Sequence, residues 1–224
     1  MKVDLKIYQC YFSNETKGYL DPAFIPYDNS NATDSSFYEY PIHKRIYEIH
    51  KNEDCHFGLV SWKWGIKTAV AGQNFVDFIQ DNPGYDLYHC NPHGTVGCKN
   101  SFIHGEKYIH GIIDFTESVL RKMDINFDLR EIEYRPEEHS YAQYWIGNLN
   151  FWKGWFEFSG KFIDIVNNDK DYSNYMYNTF HLYHGTTISH VFSFPFVYER
   201  LVSIYMIINR EKLKVINYPV VPQW

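Results

Sequence analysis

Cysteine is scarce in this chain, with four residues in 224: Cys10, Cys55, Cys90 and Cys98. A fold organised by disulfides needs a denser framework, so reduced thiols in apolar surroundings are expected. Basic runs are missing too. No stretch of Lys or Arg exceeds two residues and the formal charge is −6, which sets nucleic acid aside as a partner bound through many neutralised phosphates. Long apolar runs are also lacking. The segment VFSFPFV at 191–197 is far too short for a bilayer, and MKVDLKIYQC carries no apolar signal core, so a cytoplasmic chain with no transmembrane segment is expected. The sequons at Asn14 and Asn31 are then incidental. Neither G-x-G-x-x-G nor G-x-x-x-x-G-K-[ST] occurs, which removes the dinucleotide and P-loop fingerprints. The absence of G-x-S-x-G argues against a serine hydrolase.

Aromatic rings are plentiful instead: 20 Tyr, 17 Phe and 6 Trp, in a chain that is 45% hydrophobic and long enough to bury a core. Such rings fill cores, their commoner use, or stack on carbohydrate and bases. The pattern predicts a strand over 5–12, a long polar loop after it, a helix over 37–52 and a strand over 55–64. A helix beginning at Gly72 ends before Pro83-Gly84, and a strand over 85–90 is cut off by Asn91-Pro92. A helix over 108–123, a strand over 141–147, an aromatic helix after Asn150 and a buried helix over 194–211 complete the reading. No repeat or linker interrupts it. Alternating strands and helices predict an α/β chain with a mostly parallel central sheet flanked by helices. Ligands of open α/β sheets sit beyond the carboxyl ends of the strands, which directs attention to the loops after residues 12, 61 and 90.

Three groups of residues in those regions invite chemical readings. His89, Cys90, His93 and Cys98 look like zinc ligands. Adjacent strand residues point to opposite faces, however, and no C-x2-C or H-x3-H pair is present, so no zinc site is expected. Lys63 and Lys67, four apart after a strand and flanked by Trp62, Trp64 and Gly65, are either a solvated basic pair or the partners of a diphosphate, with Ser61 a nearby hydroxyl. Asp28, Glu106, Glu138 and Glu199 are carboxylates beside aromatics or cations. Each is an acid–base candidate, and each alone fits an ion pair or surface group.

Taken in order, LDPAFIPYDN, YEYPI, HFGLVSWKWGIKT, NPGYDLYHCNP, FIHGE, YWIGNLNFW and FPFVYERLVSIY resemble a group of glycosyltransferases from bacterial capsule and lipopolysaccharide gene clusters and from large algal viruses. The resemblance runs along nearly the whole chain. It implies a single GT-A-like domain, with a nucleotide-sugar half over about 1–105 followed by an acceptor half over about 106–224. It also implies a nucleoside-diphosphate-sugar donor, a UDP-sugar in first place, and a glycan hydroxyl as acceptor. Such enzymes usually end one strand in Asp-x-Asp, which holds Mn2+ or Mg2+ on the diphosphate. Here the matching strand DLYHCNP ends in His89 and Asn91 without a carboxylate, so no metal ligand is assigned and a divalent cofactor is disfavoured. Lys63, Lys67 and Arg200, with His93, would then meet the leaving diphosphate. Asn91 marks the strand end, and Asp28 and Asn29 either contact the nucleoside or turn their loop. Glu138, with Glu106 as its rival, would take the acceptor proton. Trp152 and Trp155 either stack on the acceptor sugar or pack in the core. The competing expectation is a non-catalytic carbohydrate-binding protein, which would also be acidic and rich in rings.

Overall fold

The β-branched and aromatic run LKIYQCY forms β1 (Leu5–Tyr11) in the computed structural model, which describes residues 2–33, 39–94, 97–178, 180–184 and 188–220. The chain divides into two compact units. One comprises Met1–Gly94, Ser140–Lys153 and Asn209–Trp224, the other Thr95–His139 and Gly154–Ile208.

In the first unit β1 is followed by the short helix α1 (Asn14–Lys17), β2 (Ile25–Asp28), α2 (Tyr40–His50), β3 (His56–Ser61), α3 (Trp64–Thr68), α4 (Gly72–Asp81) and β4 (Leu87–Cys90). Two later segments join them, β5 (Trp145–Gly147) and, near the end of the chain, the strand β8 (Val215–Tyr218). Together they make a six-stranded sheet in the order β2-β1-β3-β5-β4-β8. β1 runs parallel to both β2 and β3, with Leu5 opposite His56 and Cys10 opposite Ser61, and β4 runs parallel to β8. β5 alone is antiparallel, with Gly147 opposite Phe57 on one side and Leu87 on the other. The α/β class and the mostly parallel sheet flanked by helices are therefore present.

Uninterrupted apolar burial in β3 and β4 is what a strand covered on both faces requires. One core cluster packs Ile7, Val60, Trp64, Phe75, Ile79, Tyr88 and Ile146 together. Elsewhere in the unit α2 buries Ile42, His43 and Ile46, and the His43 ring stacks on Trp145 at 5.2 Å. Gly58 is obligatory at the β3–β5 contact, because a Cβ there would lie 1.7 Å from the Trp145 carbonyl oxygen.

The second unit holds α5 (Ser101–Glu106), α6 (Ile112–Lys122), a 3-10 turn at Pro136–Glu138 and α8 (Lys170–Tyr177). The antiparallel pair β6 (Phe180–His184) and β7 (Ile188–Phe192) and the helix α9 (Ser193–Ile208) complete it. α7 (Leu149–Asn167) begins in the first unit and continues into the second. α9 is buried along most of its length, as its all-round apolar pattern predicts.

Several elements differ from the sequence reading. β2 lies inside the expected polar loop. It is a four-residue edge strand in which Pro26 is tolerated because edge positions need not donate to a ladder. α3 and α5, of five and six residues, are too short to show a helical period. The helix expected from residue 37 is seen from Tyr40, and residues 37 and 38 lie outside the described ones. Among the described residues no helix is long and apolar enough to cross a membrane.

Candidate functional site

The order β2-β1-β3 sends the chain from β1 to one side of the sheet and brings it back as β3 on the other. Connections that leave neighbouring parallel strands in opposite directions open a crevice at their carboxyl ends. Gln9, fully buried in β1, ties the loops at this end to one another. Its amide donates to the carbonyls of Ser61 (3.3 Å) and Tyr19 (3.4 Å), and its Oε1 accepts from the Asp21 N–H at 2.7 Å. Asp21 in turn accepts from Gly72 N at 2.7 Å, tying the loop after β1 to the start of α4.

At the end of β3, Ser61 Oγ lies 2.8 Å from Tyr144 Oη and accepts the Lys63 N–H at 3.2 Å. Burial pushes the Tyr144 phenol well above its ordinary range. Exposed Lys63 lies over the Trp62 ring, 5.0 Å from its centroid, and the exposed Tyr19 ring stands 5.5 Å from Trp62. Glu39, just before α2, accepts from the Gln143 amide at 3.2 Å. Burial pushes its carboxyl up, and the charges of Lys67 and Lys63 pull it back down. Two ammoniums, one carboxylate with a raised pKa, a hydroxyl pair and two accessible rings thus belong to the carboxyl-end loops of this unit. Chemically the set suits an anion attached to a flat ring, with a proton acceptor beside it.

The other expected site residues of this unit are more fully committed. Asp28 accepts from Tyr11 Oη at 2.9 Å and from the Ser30 hydroxyl (2.7 Å) and N–H (2.9 Å). Those bonds, the Ser30 hydroxyl first, hold its carboxyl below the usual range, and Asp28 shapes its turn. Asn29 is buried and accepts from Arg45 at 3.4 Å. Asn91 is consumed by its own turn: its amide donates to the Gly94 carbonyl at 2.7 Å and its oxygen accepts from His93 N at 3.1 Å. The His93 ring sits edge-on to Tyr141, 6.1 Å between centroids.

Of the two readings of Trp152, the structure has the core one. The residue is 1% exposed, donates to the Phe57 carbonyl at 2.8 Å and stacks on Phe57, so no ring face is open to a sugar. The same holds for Trp155 in the second unit. Fully buried, it donates to Tyr198 Oη at 3.0 Å among Phe158, Tyr198 and Tyr205.

Also in the second unit, Glu106 gives one oxygen to Gly111 N (2.7 Å) and the other to Ile113 N (3.1 Å), capping α6, where the Gly111 backbone supplies no side-chain cap. Glu138 is 3% exposed and accepts from Arg135 N at 2.8 Å, closing its own 3-10 turn. Arg200 is buried and donates to the carbonyls of Ser101 (2.9 Å) and Phe196 (3.0 Å), with Glu199 at 3.8 Å. Each of the three is built into backbone architecture.

Among the described residues, His89, Cys90 and His93 form no metal-ligating group, and no three such side chains gather at the carboxyl ends of the strands. Of the acids there, Asp21 and Asp28 spend their oxygens on backbone and hydroxyl donors and Glu39 is a single carboxylate bonded to Gln143, so the residues described do not fit an Mn2+ or Mg2+ cage, which draws on several carboxylate oxygens. Sequence reasoning passed over Glu39, Gln143, Tyr144 and Tyr19. No family model, curated protein or solved structure matches this chain.

Proposed function

We propose that the chain is a GT-A-like glycosyltransferase that moves a sugar from a nucleoside-diphosphate sugar, a UDP-sugar in first place, to a hydroxyl of a glycan acceptor. The observation that carries this reading is the switch in strand order at β1 and β3, at whose carboxyl ends the charges of Lys67 and Lys63 act on Glu39. On this reading the two ammoniums balance the charge that develops on the leaving diphosphate as the anomeric C–O bond breaks. The Tyr19 and Trp62 rings offer stacking area for the base. Glu39 takes the proton of the acceptor hydroxyl as the new glycosidic bond forms in an inverting transfer. Its raised pKa suits that task, whereas Glu106 and Glu138 are engaged by backbone N–H groups.

A thermal-shift screen of nucleoside diphosphates and their sugars, followed by donor hydrolysis, tests it. UDP at a hundredfold excess over its Kd should add about 2.7 kcal/mol to stability. The Lys63→Ala/Lys67→Ala double variant should lose most of that gain. No response to any nucleoside diphosphate would sink the reading, and a response to free oligosaccharide alone would replace it with a carbohydrate-binding protein.

A further inference from the structure

At the amino end of β3, opposite in the strand to the crevice, the turn that links α2 to β3 collects an imidazole, a carboxylate and a thiol. His50 closes α2, Glu53 sits in the turn and Cys55 precedes β3. One donor atom from each lies within 4.8 Å of the other two, the only such set among the described residues. Both ends of the turn are anchored: Glu53 N donates to the His50 carbonyl at 2.9 Å, and His56 N donates to the Asp4 carbonyl at 2.8 Å. The spacing H-x2-E-x-C is thereby fixed by backbone and does not depend on flexible side chains alone.

We propose that His50 Nδ1, Glu53 and Cys55 Sγ form a Zn2+ site. Three features of the geometry support it. His50 and Cys55 are buried while the Glu53 side chain is 48% exposed, which leaves a solvent-facing fourth position for water. The other imidazole nitrogen, Nε2, lies 2.8 Å from Tyr8 Oη, an outer partner that can accept from Nε2–H and orient the ring once Nδ1 binds the metal. Nδ1 and Glu53 Oε2 are 2.7 Å apart, and Cys55 Sγ is 3.7 Å from the same oxygen. A tetrahedral zinc with ordinary bond lengths needs donors roughly 3.3–3.6 Å apart; rotation of the exposed Glu53 side chain adjusts its two spacings, and the His50 and Cys55 donor atoms lie within 4.8 Å of each other.

The donor set also chooses the ion. A thiolate and an imidazole disfavour Mg2+ and Ca2+, which take oxygen ligands, and favour a borderline-soft ion. Binding replaces the thiol proton with a zinc–sulfur bond and releases that proton to solvent. The site stands independently of the transferase reading, since none of its residues belongs to the crevice.

Titration of the metal-free full chain with Co2+ as a spectroscopic stand-in tests it. One equivalent should produce tetrahedral visible bands and a thiolate-to-cobalt charge-transfer band in the near ultraviolet, both abolished by one equivalent of Zn2+. Cys55→Ser should remove the charge-transfer band, and Cys98→Ser should leave it. Glu53→Gln, at an exposed position that the fold tolerates, should weaken binding. Tyr8→Phe should weaken it roughly 10- to 100-fold through loss of the outer partner. Absence of the charge-transfer band, its survival in Cys55→Ser, or unchanged affinity in Glu53→Gln would overturn the assignment.

Discussion

Acidification should unfold the first unit partly through one side chain, His43. Its imidazole is 1% exposed, stacked on Trp145 at 5.2 Å and tilted against Trp152 at 5.2 Å, where an imidazolium could not be solvated. Burial pushes its pKa from 6.5 down to about 3, opposed only weakly by a hydrogen bond with the Gln143 backbone. The unfolded chain therefore takes up a proton below pH 6.5, while the folded chain does not until about 3. Stability is full above 6.5 and is lost as pH falls through this window, by about 1.4 kcal/mol for each pH unit. At pH 5 the loss amounts to about 2 kcal/mol. Other groups titrate in the same range. His104 is pushed down to about 4 by burial, then by Arg200 and Lys107, while Glu39 is raised and acts with the opposite sign. The measurement is therefore a difference. Urea unfolding followed by tryptophan fluorescence at pH 7.5 and pH 5 would compare the native chain with His43→Phe, which keeps a ring against Trp145 and cannot titrate. The variant should be less stable at pH 7.5 and should lose about 2 kcal/mol less on acidification. Equal losses in both proteins would refute the account of a buried neutral imidazole.

Gly58→Ala should cost about 3 kcal/mol or more, because the added Cβ would meet the Trp145 carbonyl oxygen at 1.7 Å and only a shift of β3 against β5 could relieve it. Denaturant midpoints that match the native chain's would contradict the register pairing Gly58 with Ile146. On the proposed transferase reading, a bound diphosphate screens Lys63 and Lys67, whose charges pull the Glu39 carboxyl down. The acidic limb of kcat should then lie at higher pH than that of kcat/KM, and Glu39→Gln should abolish both limbs along with most of the turnover. Coincident limbs, or a Glu39→Gln variant of near-normal turnover, would remove Glu39 from the chemistry.

The strands and helices with a clear period were legible in the sequence. β1 and β3 carry β-branched and aromatic residues, β4 is a mostly apolar run stopped by Asn91-Pro92, and α4 and α6 repeat apolar side chains at three and four. β2 was not legible, because Pro26 and Asp28 are poor strand formers and only pairing with β1 makes them a strand. The β4–β8 pairing was equally hidden, since it joins residues more than a hundred positions apart, as Leu87 with Val215. The crevice shows the same division. Ser61, Lys63 and Lys67 were visible from their place after an apolar strand. Tyr144 reaches Ser61 across 83 positions, and Gln143 reaches Glu39 across 104, and no local pattern announces either.

The carboxylates decide which parts of the fold remain open to chemistry. Asp21, Asp28, Asp86 and Glu106 each place both oxygens on donors. Asp86, for example, accepts from Asn148 at 2.8 Å and from Lys214 N at 2.9 Å, fastening β4 to the chain around β5 and β8. A carboxylate whose two oxygens are both engaged in this way fastens the chain and has no oxygen left over for a substrate proton. Glu39 has different surroundings: burial favours its acid form, while Lys67, a backbone hydrogen bond and Lys63 favour its base form, and the Gln143 amide donates to it. Its charge state therefore depends on what neutralises the lysines. That dependence, absent from the fastened carboxylates, is what a group must have if anion binding and proton transfer are to be coupled in one crevice.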